Sequence, residues 1–209
     1  MAHPSGPLAR EFLIVTFDIC SSAKLVEDLT ATNSLLAYGQ LVKGIHSFLR
    51  AQAKLLTFTI YKFTGDGWIL LFPASQVDGH VLIKFLALLS KNFRRLRRKL
   101  VEGHLGSLPA TRGLTFGVDV GSLHKLVLGD REEFVGRALV LACRLQAAVS
   151  QKGKSPNYRV LFTRKVYNKY LKRLGDIMFF DVTRTLKNIH GGTKYRCKKL
   201  NLVPLMGGA

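Results

Sequence analysis

The 209 residues suit one domain with a full core, and 47% hydrophobic against 22% charged content excludes a disordered chain. The formal charge of +19 selects a class of partner, polyanions such as nucleic acid, triphosphate or acidic lipid, or else marks a solvated basic face. No apolar run is long and clean enough to span a bilayer, because Val81–Ser90 contains Lys84 and runs into Arg94 and Arg95. Met1–Arg10 lacks the apolar core of a signal peptide, and Cys20, Cys143 and Cys197 are isolated, odd in number and without metal-type spacing, which together favour a reducing cytoplasm.

In chain order, Glu11–Ile19 reads as a buried strand. Lys24–Ala53 reads as one or two helices, with a break at Thr30–Asn33 and an apolar stripe through Leu35, Tyr38, Leu41, Val42, Ile45, Phe48 and Leu49. Leu55–Phe63 and Trp68–Phe72 form a hairpin around Thr64-Gly65-Asp66-Gly67, whose glycines suit a tight turn. Ser75–Glu102 is an amphipathic helix with Leu82, Phe85, Leu86, Leu89, Phe93, Leu96 and Leu100 on one stripe and most of a basic cluster off it. Gly103–Arg112 is a loop. Gly113–Val120 and Leu123–Leu128 read as a second hairpin turning at Gly121-Ser122, and Phe134–Ser150 as a helix. Strands at Tyr158–Phe162, Ile177–Val182 and Thr193–Val203 follow, with a helix near Arg164–Leu174. Hairpins mixed with crossover helices predict an α+β sandwich with a mainly antiparallel sheet and flanking helices.

Two aspartates stand out. Asp18 ends the apolar strand Phe12-Leu13-Ile14-Val15-Thr16-Phe17, and Asp66 sits in the Gly-Asp-Gly turn. Carboxylates on neighbouring strand ends can share a pair of divalent cations, a common way of handling a nucleoside triphosphate. The plain alternatives are a strand-end cap for Asp18 and an Asx turn for Asp66.

Four motifs in order carry a family likeness: Val15-Thr16-Phe17-Asp18-Ile19, Lys62-Phe63-Thr64-Gly65-Asp66, Phe116-Gly117-Val118-Asp119-Val120-Gly121, and the run Gly136 to Leu145 that contains Arg144. From about Glu11 to the last strand the chain resembles the class III nucleotidyl cyclase catalytic domain, a ferredoxin-like sandwich. Phe17-Asp18-Ile19-Cys20-Ser21-Ser22 and Lys62-Phe63-Thr64-Gly65-Asp66-Gly67-Trp68 look closest to the short pyrimidine cyclases of bacterial anti-phage (Pycsar) systems. The resemblance implies a single catalytic domain over residues 11–203, flanked by flexible segments 1–10 and 204–209. It implies conversion of UTP or CTP to the 3′,5′-cyclic monophosphate and pyrophosphate, with two divalent cations per site, Mn²⁺ or Mg²⁺. The product would act on a separate effector in anti-phage defence.

The same resemblance assigns roles. Asp18 and Asp66 hold the cations, with the carbonyl of Ile19 as a further ligand. Cys20, Ser21 and Ser22 receive phosphate oxygens at a helix start, or Ser22 is a simple helix cap. Arg144 binds charge developing on the α-phosphoryl group, or is a surface arginine. Lys62 and Glu133 match base-selecting positions: they read a pyrimidine edge, or pair with one another. Lys187, or Lys194 beyond the Gly191-Gly192 turn, matches a triphosphate lysine. Val140 departs from the pattern, since relatives carry a ribose-orienting Asn one helical turn before the arginine. The family arrangement implies a head-to-tail homodimer with shared sites and no stable nucleic-acid or membrane partner. The rival readings are an adenylate cyclase, a catalytically inactive cyclase-like dimer, and a basic nucleic-acid-binding module, the last lacking an aromatic stacking run.

Overall fold

The computed structural model describes residues 9–106, 113–149, 158–189 and 194–207. Its elements are β1 (Arg10–Ile19), α1 (Ser22–Ala31), α2 (Leu35–Leu56), β2 (Thr59–Phe63), β3 (Gly67–Pro73) and α3 (Gly79–Leu100). There follow β4 (Leu114–Leu128), β5 (Arg131–Val135), α4 (Arg137–Ala148) and β6 (Arg159–Thr163). The last are α5 (Arg164–Val166), which widens into a π-turn over Tyr167–Leu171, β7 (Phe180–Thr185) and β8 (Lys194–Asn201). Among the described residues the strands make one eight-stranded sheet in the order β2-β3-β1-β4-β6-β8-β7, with β5 paired to β4 off that path. Only β4–β6 is parallel; the other pairs are antiparallel. This is the mixed α+β architecture expected from the sequence.

Strand β1 lies between β3 and β4 and is covered on both faces, so it reads as an unbroken apolar run. Its alternate residues Leu13, Val15, Phe17 and Ile19 join the main core with α1, α2 and α3. Phe17 anchors that core, its ring 5.4 Å from Trp68 and 5.7 Å from Phe116. Ile14 faces the other way, onto Ala138 and Ala142 of α4. Helix α2 buries Leu41, Ile45 and Leu49, four residues apart. Helix α3 is started by Asp78, whose carboxylate accepts from the Val81 amide at 2.9 Å, and it ends in Arg97, Arg98 and Lys99, which suit the negative helix terminus.

The structure corrects several sequence boundaries. The second hairpin does not turn at Gly121-Ser122: β4 runs straight through them for 15 residues and turns at Gly129 (φ 64) into β5. Phe134 therefore belongs to β5, and α4 begins at Arg137; Ser150 lies outside the described residues. Gly117 and Gly121 serve packing rather than turning. A Cβ at Gly117 would strike the Ala142 carbonyl oxygen and the Gln146 backbone, and one at Gly121 would meet the Ala138 methyl at 2.9 Å. The two glycines form a flat seat that lets α4 lie against the sheet. Leu55 is helical, closing α2 before Thr57 takes a left-handed φ of 52°; its side chain is 74% exposed, so its apolarity is no strand signal. Ala74–Gln76 is a separate 3₁₀ turn before α3. Ile177 lies in a turn, and its strand starts only at Phe180. At the C-terminal end, a 3₁₀ turn over Val203–Met206 buries Met206 in the main core. Of the expected loop Gly103–Arg112, residues 107–112 lie outside the described ones. Among the described residues no helix is long and apolar enough to cross a membrane.

Substituting the seat glycines should rank by what they meet. Gly117→Ala, which collides with backbone, should lose about 1–3 kcal/mol in urea unfolding, more than Gly121→Ala, which meets a methyl group. Gly39→Ala, inside α2 with open space around it, should instead gain roughly 0.5–1 kcal/mol.

Candidate functional site

The end of β1 and the β2–β3 turn meet because the β1–β3 register sets Asp18 opposite Gly67. The Ile19 amide donates to the Asp66 carbonyl at 3.1 Å, and the Thr64 amide to the Gly67 carbonyl at 3.0 Å. Gly65 takes a φ of 102°, which favours glycine. At Gly67 a Cβ would run into the Phe17 carbonyl oxygen and stand 3.0 Å from Asp18 Oδ1. Gly65 is thus favoured by its backbone angle, and Gly67 by the close approach of β1 at Phe17 and Asp18.

The two carboxyl groups are neighbours. Burial first, then a hydrogen bond and charge repulsion from Asp66, push the Asp18 carboxyl up to about 7, against the pull of the Ile19 amide and the Gln146 side chain. Asp18 Oδ1 is buried with no hydrogen-bond partner among the described residues. Asp66 Oδ2 accepts a short hydrogen bond from Ser22 Oγ. Ser22 is therefore no helix cap; Ser21, with φ 56°, holds the cap position without a side-chain cap bond. The Cys20 amide donates to the Gly113 carbonyl at 2.9 Å, and burial followed by the Asp18 charge pushes its thiol up to about 12.

A crowded carboxylate pair with an orphaned buried oxygen fits a hard divalent cation, which would neutralise the repulsion and engage Oδ1. Among the described residues no group of three or more His, Cys, Asp or Glu side chains gathers as a metal cage. Two carboxylates and a backbone carbonyl such as that of Ile19 would leave most of the coordination sphere to water or phosphate, as suits Mg²⁺ or Mn²⁺ better than structural zinc.

Two neighbours of the pair are not evident from the sequence. Tyr38 of α2 has its phenol pushed up to about 12 by burial and then by the charges of Asp66 and Asp18, so it lies within electrostatic reach of both. Gln146 donates to Thr115 Oγ1 at 2.8 Å and also reaches Asp18. The available sequence signal was an amide four residues beyond Ala142, on the sheet-facing stripe of α4. Tyr38 read simply as one more member of an apolar stripe.

Lys62 and Glu133 form a second cluster. Lys62 Nζ lies 3.1 Å and 3.2 Å from the two Glu133 oxygens, so within the chain they pair with one another. Tyr61 joins them: its hydroxyl donates a short bond to Glu133 Oε2 and accepts from the Phe134 amide at 2.9 Å. The Tyr61 and Lys62 hydrogen bonds hold the Glu133 carboxyl below its usual range. Consecutive residues of a regular strand point to opposite faces; a register shift between Ile60 and Lys62 lets both reach one carboxylate.

The remaining residues stand apart. Arg144 is half-buried on α4 and forms no ion pair among the described residues. It shares the outward face of α4 with Arg137 and Val140, the latter 48% exposed. Lys187 is exposed in the turn after β7, and Lys194 opens β8. Of these strands β7 is the far edge of the sheet, about 19 Å from β1 at the usual strand spacing, and β8 is one strand nearer, about 14 Å away. Gly191 and Gly192 lie outside the described residues.

No protein-family model matches the chain, and no curated protein sequence does. Solved structures do resemble it in fold. It is similar to the guanylyl cyclase Cya2, with a TM-score of 0.70 and 14% identity over 93% of each chain. It is similar to the adenylyl cyclase CyaB from P. aeruginosa, with a TM-score of 0.70 and 18% identity over 92% of this chain and 94% of that one. An adenylate cyclase of Trypanosoma brucei in its monomeric state gives 0.66 and 17% identity over 97% and 94%. The chain thus has the α+β sandwich of these cyclase structures across nearly its whole length.

The raised Asp18 carboxyl has a definite effect on stability. The folded state binds an extra proton between the ordinary value of 3.8 and about 7, so this group makes stability fall as pH rises through that window. In chelator, Asp18→Asn should therefore melt higher than the parent at pH 8, and the gap should close towards pH 4. Added Mn²⁺ should raise the parent's melting temperature at pH 8 and leave that of Asp18→Asn nearly unchanged.

Proposed function

We propose that the chain is a nucleotidyl cyclase acting on a pyrimidine nucleoside triphosphate, UTP or CTP, as a homodimer with shared sites. The observation that carries the cyclase reading is the Asp18–Asp66 pair with its orphaned buried oxygen, set within a cyclase-like sandwich. In the reaction the ribose 3′-oxygen bonds to the α-phosphorus while the bond from that phosphorus to pyrophosphate breaks, and the hydroxyl proton passes to solvent. Divalent cations, when bound, would acidify the hydroxyl and neutralise the leaving pyrophosphate. Asp18, Asp66 and the Ile19 carbonyl would hold them, and Ser22 orients the Asp66 carboxylate for this. Cys20, Ser21 and Ser22, where β1 gives way to α1, would meet the phosphates, and Lys187 is the candidate for the triphosphate tail.

Arg144 would bind the charge that builds on the α-phosphoryl oxygens. Its lack of an ion pair among the described residues and its place on the outward face of α4 suit delivery to the site of a second copy. The separation of the Tyr61–Lys62–Glu133 cluster from the aspartates suits the same arrangement. Tyr61 also supports the pyrimidine reading: its ring adds bulk beside the base-selecting pair, where a purine would need room. Exposed Val140, in place of a ribose-orienting amide, is in keeping with a sugar pose unlike that of purine cyclases.

Incubating the protein with an equimolar mixture of ATP, GTP, CTP and UTP and Mn²⁺ should yield cyclic UMP or cyclic CMP by mass spectrometry. Cyclic AMP as the main product would replace the pyrimidine reading, and absence of any pyrophosphate release would replace the enzyme by an inactive relative. Asp66→Ala should abolish turnover, and Arg144→Ala should lower it by about 10²–10³-fold with dimerisation kept. Mixing Asp18→Ala with Arg144→Ala should restore activity on the order of a quarter of the parent's, since each mixed dimer regains one intact site; no recovery would rule out shared sites.

A further inference from the structure

Beyond Lys62, Arg144 and Lys187, the positive charge has no part in the cyclase reading, and on α3 it is organised. This 22-residue helix carries Lys84, Lys91, Arg94, Arg95, Arg97, Arg98 and Lys99 and not one acidic residue. Arg97 is buried and pairs with Glu102 at 2.7 Å. The other six form no ion pair among the described residues. His80, Lys84, Lys91, Arg95 and Arg98 follow at intervals of four, seven, four and three residues, which puts them on one face. In that face opens a cleft of about 440 Å³ between α3 and the C-terminal turn, with Ile83, Ala87, Leu88 and Leu205 as apolar lining and Lys84 and Lys91 among its walls. Leu88 is 40% and Leu205 39% exposed, and Met178, next to the cleft residue Ile177, is 72% exposed.

We propose that this face of α3 docks on an anionic lipid bilayer, the cations meeting headgroup phosphates and the cleft and its exposed apolar side chains meeting the acyl boundary. A patch that mixes unpaired cations with exposed aliphatic side chains matches both parts of such a surface. A nucleic acid would satisfy the charges but leave the apolar cleft without a role, and among the described residues the cleft offers one small ring, His80, and no Phe, Tyr or Trp for bases to stack on. The family resemblance implies no stable membrane partner, while the charge admits acidic lipid; the stripe and the cleft come together only in the folded chain. Helix α3 packs on the sheet face opposite α4, so docking here leaves the outward face of α4 uncovered.

The test is co-sedimentation of the full chain with phosphatidylcholine vesicles, with and without about one third phosphatidylserine. Binding should require phosphatidylserine and be lost at about 0.5 M salt. Lys84→Glu with Lys91→Glu should weaken it about 10-fold or more, and Leu88→Ser with Leu205→Ser should weaken it at unchanged charge. Lys125→Glu with Arg131→Glu, an equal charge change on the β4–β5 arm, should leave most binding intact. Equal binding to neutral vesicles, indifference to the α3 changes, or binding of an RNA duplex through these lysines without any vesicle binding would overturn the proposal. The comparison of the two vesicle types uses the unaltered protein and so does not depend on any variant folding, nor on the cyclase reading.

Discussion

Two carboxyl groups forced together at the rim of a buried strand are the constraint around which this molecule is arranged. Strand β1 is covered by helices on one face and by α4 on the other, so its terminal carboxylate sits where water screens poorly. Asp66 is brought beside it by the register of β3, which admits only glycine at position 67. Folding alone does not favour such a pair: each charge raises the cost of the other. Ser22, the Ile19 amide and Gln146 offset part of that cost and leave one oxygen without a partner. An arrangement kept against its own electrostatics is understandable if a cation completes it.

The second principle is separation. The aspartates lie at the β1–β3 junction and the Lys62–Glu133–Tyr61 cluster joins β2 to β5, while Arg144 looks outward from α4. Among the described residues no hydrogen bond or ion pair joins these three groups to one another within one chain, which is compatible with a site completed by a second copy. The surface divides likewise: α4 and its outward arginines lie on one side of the sheet, and the acid-free helix α3 lies on the other.

Much of the architecture was legible because local chemistry and tertiary demand agreed. The apolar run of β1, the four-residue spacing of Leu41, Ile45 and Leu49, and the Gly-Asp-Gly turn each specify their element almost unaided. The sequence misled where one residue type serves two purposes. Gly121 read as a turn because glycine permits turns, yet it lies in mid-strand because glycine also lets a helix come close. Leu55 read as strand because it is apolar, yet it is an exposed end of a helix. Tyr38 and Gln146 were hidden as site residues for a similar reason, since an apolar stripe reveals a face but not what lies across from it.

By itself the sequence nominated candidates for the chemistry, in chain order Asp18, Lys62, Asp66, Glu133 and Arg144, and it set them among strands and helices of the right kind. Their relative placement was decided by the tertiary structure. Strand register fixed Asp18 opposite Gly67, the bulge in β2 turned Tyr61 and Lys62 onto one carboxylate, and the helix seat at Gly117 and Gly121 set the pose of α4. The physical reason is that residue type and periodicity are local properties. Burial, charge coupling and orphaned polar atoms arise only between segments far apart in the chain.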